Sequence, residues 1–345
     1  LNIMRHLIIF ISFFMFWGAC IGGLTAVFDP LHKLAYAPAA SEDIPDMGEN
    51  AQDIVDMKLA LYLRHPQPNV IIGNSRPYKG LPAEYMGDDW FNFAIPGANA
   101  KDLLAVVEFL TQCMHFAPPK NVVVMLDLNI YDLRRGNAEG RNFDLNKHRR
   151  KCTAHGLFTD MQADPSYFVD IRNIGRILRK GEERYTDQGS YKDFPERLTE
   201  TQLKNAQQSK LADYRVKGWG VRGIVQDEAA QYNHFSRALP YLNDLTARAV
   251  NSGAQVLLIW TPFHESLNVV MAEKNLHVIE EKIKAETSII SHKYTQADAL
   301  FMPLWQNYTI GDITKPRDGG YYFIEPSHFT SVFGRKIAED LKAHF

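Results

Sequence analysis

The chain has 345 residues, with 38 Lys and Arg against 40 Asp and Glu, a formal net charge of -2, and 46% hydrophobic and 23% charged residues. Such a composition belongs to a globular protein with a substantial core and excludes a chain disordered throughout. The near-balanced charge gives no reason to expect a nucleic-acid partner.

The first element predicted is an uncharged run, LIIFISFFMFWGACIGGLTAVF, at residues 7–28, long enough to cross roughly 30 Å of hydrocarbon. Arg5 and His6 precede it, so the positive flank is expected to stay in the cytoplasm and the rest of the chain to be exported. This reading gives a single-pass anchor in the inner membrane with the soluble part on the periplasmic, extracytoplasmic side. The alternative is a signal peptide cleaved after the small-x-small Ala35-Tyr36-Ala37, although the apolar region of a signal peptide usually runs only about 7–15 residues. A lipoprotein site at Cys20 would want a Leu-like residue where Trp17 stands.

Residues 29–65 are polar at first and then take on helical spacing, a juxtamembrane stalk running into a first helix. Short apolar runs follow at 69–73 (NVIIG), 90–94 (WFNFA), 121–128 (NVVVMLDL), 254–260 (AQVLLIW) and 297–303 (ADALFMP). Continuous runs of this kind suit strands buried on both faces. Helix-length segments lie between them at 98–116, 236–253 and 266–290. The alternation predicts an α/β domain over 66–345: a doubly wound, flavodoxin-like, mostly parallel sheet of about five strands with helices on both faces. Residues 133–235 interrupt the rhythm with a charged, largely helical insertion between the third and fourth strands. It is either a lid or docking surface over the site or a solvated decoration. Cys113 and Cys152 are the two cysteines of the exported part; neither has a patterned partner that would suggest zinc, and free thiols are expected, with an unforced disulfide between the two as the alternative.

In a doubly wound sheet the ligand lies outside the carboxyl ends of the strands, and Ser75, Gly97 and Asn129 all fall just past such ends. Ser75 follows the first strand in VIIGNSRPYKG. Near the C-terminus, in GGYYFIEPSHFTSVFGRKIAEDL, Glu325 stands three residues before His328, ahead of a helix capped by Thr330 or Ser327. A His so placed can reach across the strand ends while a nearby carboxylate holds its other ring nitrogen. Arg76 can steady an acyl or anionic group, or be an ordinary solvated arginine at a turn. Trp260 and His264 follow the fourth strand and are candidates for lining a substrate pocket, with core packing the alternative for Trp260 and surface exposure for His264. Trp90, Tyr321, Tyr322 and Phe323 read as core or cleft wall.

These blocks resemble those of the SGNH, or GDSL-like, hydrolase superfamily. Its Gly-Asp-Ser block is similar to GNS at 73–75, its second-block Gly to Gly97 in NFAIPGAN, its Gly-x-Asn-Asp to DLNIYD with Asn129, and its Asp-x-x-His to EPSH with Glu325 and His328. The resemblance implies Ser75 as nucleophile, His328 as general base, Glu325 as orienting acid, and the Ser75 and Gly97 amides with the Asn129 side chain as oxyanion donors, with no metal or cofactor. Three residues depart from the pattern: Asn74 for Asp, Asp127 for Gly and Glu325 for Asp. Asp127, bulky and charged near the expected oxyanion, should have its side chain turned away.

The layout of an anchor followed by a divergent exported domain resembles the proteins that accompany membrane-bound O-acyltransferases in modifying secreted or cell-envelope polysaccharides. It implies a serine esterase or O-acyltransferase acting on an acyl ester of a carbohydrate, with acetyl the expected acyl group. A catalytically weak glycan-binding or scaffold subunit of such a complex is the alternative.

Overall fold

The computed structural model describes residues 2–28, 51–113, 117–133, 186, 188–190, 201, 205, 208, 209, 227–273, 275–295, 322–325 and 328–345. Helix α1 (Asn2–Phe28) is the apolar N-terminal run. Its stretch Met4–Ala26, 23 residues at mean hydropathy 2.2, is long and apolar enough to cross a membrane. Helix α2 (Ala51–Arg64) leads into strand β1 (Asn69–Gly73), the six-residue helix α3 (Ser75–Gly80), β2 (Trp90–Asn92), α4 (Ala100–Gln112) and β3 (Asn121–Leu126). The insertion ends in α5 (Glu228–Ser236), and α6 (Leu239–Asn251), β4 (Gln255–Trp260), α7 (Glu265–Glu273) and α8 (Leu276–Thr295) follow. The chain closes with β5 (Phe323–Glu325), β6 (His328–Phe329) and α9 (Ser331–Lys342).

The protein is α/β, with a parallel sheet of four strands in the order β2-β1-β3-β4. All of β1 is buried, as a central strand of a parallel sheet requires. Alternate side chains go to opposite faces. Val70, Ile72, Val122, Val124, Val256 and Leu258 join a core with the helices before and between the strands. Ile71, Val123, Met125 and Ile259 pack with Phe333, Ile337 and Leu341 of α9. The strand order reverses between β1 and β3, which opens a crevice at their carboxyl ends.

Four of the apolar runs are the four parallel strands. The fifth expected strand, at 297–303, lies outside the described residues, as do most of the insertion and the stalk. Two described pieces of the insertion are informative: α5 forms its end, and the Gln188 carbonyl accepts from the Asn92 amide at 2.8 Å, closing part of the free edge of β2. The single helix expected over 266–290 is two, α7 and α8, with Asn275 between them at φ 55. Asn tolerates that left-handed conformation better than most residues. The expectation of free thiols is corrected for Cys113, which is disulfide-bonded; Cys20 is free and Cys152 lies outside the described residues.

The end of the chain is seated by close backbone approach. Helix α9 starts at Thr330, whose hydroxyl accepts from the Phe333 amide, and it buries Phe333, Gly334, Ile337, Ala338 and Leu341 on one stripe. A Cβ on Gly334 would lie 1.7 Å from the Gly80 carbonyl oxygen, and one on Gly80 would lie 2.3 Å from the Phe329 ring. Both glycines are therefore needed for contact rather than for turning. Gly334→Ala should lower stability by about 1–3 kcal/mol, even though Ala in a helix is ordinarily better than Gly by about 1 kcal/mol; a thermal melt showing an unchanged or raised Tm would refute the contact.

Candidate active site

Ser75 is the first residue of α3, held by the turn that ends β1. Gly73 leaves no room for a side chain, since a Cβ there would sit 2.6 Å from Pro77 and 3.0 Å from the Met125 carbonyl oxygen. Asn74 caps α3, its Oδ1 accepting from the Arg76 amide at 3.1 Å. His328 begins β6, the second strand of a small antiparallel hairpin. Two distant parts of the chain meet here: Ser75 Oγ lies 2.8 Å from His328 Nε2, across a sequence separation of 253. A hydroxyl within hydrogen-bond reach of an imidazole nitrogen is the geometry of a nucleophile and its base.

Glu325 is the register partner of His328 in the hairpin; its side chain is outside the described residues. The other expected groups lie at neighbouring strand ends. Gly97 follows β2 and has φ 74, a conformation that favours glycine, and Asn129 follows β3 in the turn closed by Ile130 N to Asp127 O at 3.0 Å. Among the described residues, the amides of Ser75 and Gly97 and the side-chain amide of Asn129 donate to no protein acceptor. Three such donors past three adjacent strands are suited to receive a developing negative charge.

Asp127 is fully buried and lies among the strand ends, held by the turns that carry Asn74 and Asn129. Its Oδ1 accepts from the Asn129 amide at 2.6 Å and the Ile130 amide at 3.3 Å. Its Oδ2 accepts from the Asn74 side chain and pairs with Arg76 Nη1 at 2.9 Å. Arg76 is thus no solvated turn residue and no pocket-lining one: it is 1% exposed, donates to Thr261 Oγ1 at 2.8 Å and lies over the Phe263 ring at 4.6 Å. Trp260 is likewise in the core rather than in a pocket wall. Its ring stacks with Tyr131, and its Nε1 donates to Glu280 at 2.6 Å. Burial raises the Glu280 carboxyl, while Lys284 opposes that rise. His264 is buried rather than exposed; its Nδ1 accepts from the Ser266 amide at 3.2 Å, and its ring meets the edge of Phe323 on β5, one strand from His328.

A second support lies beneath α3 and was not anticipated from the sequence. Asn92 donates to the carbonyls of Pro77 and Leu81 at 2.9 and 2.8 Å. The fully buried Lys58 of α2 in turn donates to the Asn92 carbonyl at 2.7 Å. Nothing in the amphipathic pattern of α2 marks Lys58, because a Lys among apolar residues ordinarily reaches outward. Its burial holds its pKa well below 10.5, with Glu84 a smaller opposing influence. The unfolded chain therefore binds more protons than the folded one as pH approaches 10.5, so this group makes the protein more stable with rising pH in that range. Comparing denaturant midpoints of the parent and Lys58→Met from neutral pH upward should show the parent gaining on the variant; a constant difference would contradict the burial of the charge.

No known family model matches the chain, and no curated protein sequence matches it.

Proposed function

We propose that the chain is a serine-dependent esterase or O-acyltransferase that forms an acyl-enzyme on Ser75. The observation that carries this reading is the 2.8 Å contact between Ser75 Oγ and His328 Nε2, set where the strand order reverses. Ser75 Oγ attacks the ester carbonyl as its proton passes to His328 Nε2. The Ser75 and Gly97 amides and the Asn129 side chain stabilise the tetrahedral oxyanion. Collapse breaks the ester bond, the leaving alcohol takes the proton from His328, and the acyl group remains on Ser75. Water then completes an esterase cycle, or a sugar hydroxyl completes a transfer, with His328 accepting the incoming proton in either case. Glu325 orients the imidazole from the facing hairpin position.

The finer reading has a doubly wound sheet with a fifth strand at 297–303. It places the domain on the extracytoplasmic side, an acylated envelope or secreted polysaccharide as substrate, and a membrane-bound O-acyltransferase as acyl supplier. The disulfide at Cys113 supports the side of the membrane, because disulfides persist in oxidising compartments. Arg5 ahead of the apolar helix supports it too.

A fluorophosphonate should label the parent and not Ser75→Ala; a folded parent that resists labelling would favour a binding scaffold. His328→Ala should reduce ester turnover by about three orders of magnitude or more with the melting temperature little changed, while Glu325→Asp keeps more turnover than Glu325→Gln. Turnover unchanged in His328→Ala would end the triad reading. Alkaline phosphatase fused after residue 40 should be active in membrane pellets, and an inactive fusion would place the domain in the cytoplasm.

A further inference from the structure

Two departures from the superfamily pattern, Asn74 where Asp is usual and Asp127 where Gly is usual, touch each other in the folded protein. The geometry points to Asp127 as a positioning residue, matched to Asn74, whose two carboxylate oxygens hold the nucleophile turn and the Asn129 turn at a fixed separation. This inference rests on the reading of Ser75 as nucleophile and deepens it.

The connections run in both directions from one side chain. Oδ1 receives the amides of Asn129 and Ile130, which fixes the turn carrying the expected side-chain donor to the oxyanion. Oδ2 receives the Asn74 amide group, and Asn74 Oδ1 receives the Arg76 amide, so that Ser75 is spanned by hydrogen bonds on both sides. Arg76 closes the network: the same guanidinium nitrogen contacts Asp127 Oδ2 and Thr261 Oγ1, and Thr261 Oγ1 donates to the Leu126 carbonyl at 2.9 Å. The ends of β1, β3 and β4 are thereby tied together.

The chemistry accounts for an Asn at 74 beside an Asp at 127. An Asp at 74 would set a second carboxylate against Asp127 in a fully buried place, where like charges cannot both be held. An Asn supplies the donor instead. The negative charge of Asp127, which would oppose an oxyanion close by, is balanced by Arg76. The titratable groups facing Asp127 are the Arg76 guanidinium and the Tyr131 hydroxyl, and burial pushes the ionisation of the latter above its ordinary range.

The test is a swap followed through turnover of p-nitrophenyl acetate, fluorophosphonate labelling and thermal melting on the same samples. Asn74→Asp should lower kcat by about 100-fold with KM changed by less than about threefold, since a slight misplacement costs the transition state and not ground-state binding. The ratio of its kcat to that of the parent should rise as pH falls, because a proton shared by the two carboxylates relieves their repulsion. The double variant Asn74→Asp with Asp127→Asn restores one donor and one carboxylate and should return kcat to within about tenfold of the parent. A parental kcat in Asn74→Asp, or a double variant that recovers nothing whether folded or not, overturns the proposal. Ser75→Ala separates the two levels: if the parent has no Ser75-dependent turnover the functional reading fails and takes this inference with it, whereas a Ser75-dependent parent with a failed swap overturns the matched pair alone.

Discussion

The seating of the last helix against the turn that carries Ser75 is the constraint on which the candidate site depends. Ser75 and His328 are separated by 253 positions, and no local preference could bring a hydroxyl and an imidazole so far apart in sequence to 2.8 Å. What does so is the absence of two side chains. Gly334 in α9 faces the carbonyl of Gly80 at the end of α3, and Gly80 faces Phe329, the residue after His328. With both Cβ positions empty the backbones approach directly, and the apolar stripe of α9 anchors the same helix on the second face of the sheet. Burial supplies the driving force and the glycines set the distance.

Beneath that contact the polar groups are paired rather than left to solvent. Asp127 and Arg76 are 0% and 1% exposed, and desolvating two charges is costly enough that such a pair contributes little net stability and can reduce it. Its value is geometric: a carboxylate has two oxygens and a guanidinium several directed donors, so a few atoms fix several strand ends at once. Asn92 performs a similar task from the other side of α3, donating to the Pro77 and Leu81 carbonyls while Lys58 donates to the Asn92 carbonyl. A site of this construction has Ser75, the proposed nucleophile, on a short helix that is tied at both ends, which would limit the reorganisation needed as charge develops.

The sheet edge and the apolar N-terminal helix are the surfaces that meet other parts of the chain or its surroundings. Strand β2 is short and lies at the edge of the sheet among the described residues, and the Asn92 amide finds an acceptor in Gln188 from the insertion, so part of that edge is paired within the chain. The free groups of β2 are accordingly less open to pairing with another strand. At the N-terminus, α1 exposes Phe10, Phe13, Phe14, Phe16 and Trp17, an apolar surface of the kind a bilayer accommodates.

The sequence by itself determined the elements whose signal is local. Short, mainly apolar runs marked the four parallel strands, because a strand buried on both faces shows few polar side chains. The cap at Thr330 and the apolar run of α1 were legible for the same reason. The residues Ser75 and His328 were readable because each follows a strand or precedes a helix at a place where a side chain is held firmly. Tertiary structure alone decided the rest. That Trp260 joins Tyr131 and Glu280 in the core, that Arg76 is buried on Asp127, and that His264 turns inward depends on which elements lie opposite, and no spacing along the chain records it. The Asn74–Asp127 match was visible only as two separate oddities until folding placed them side by side, since a buried carboxylate chooses its donors by distance in space, not in sequence.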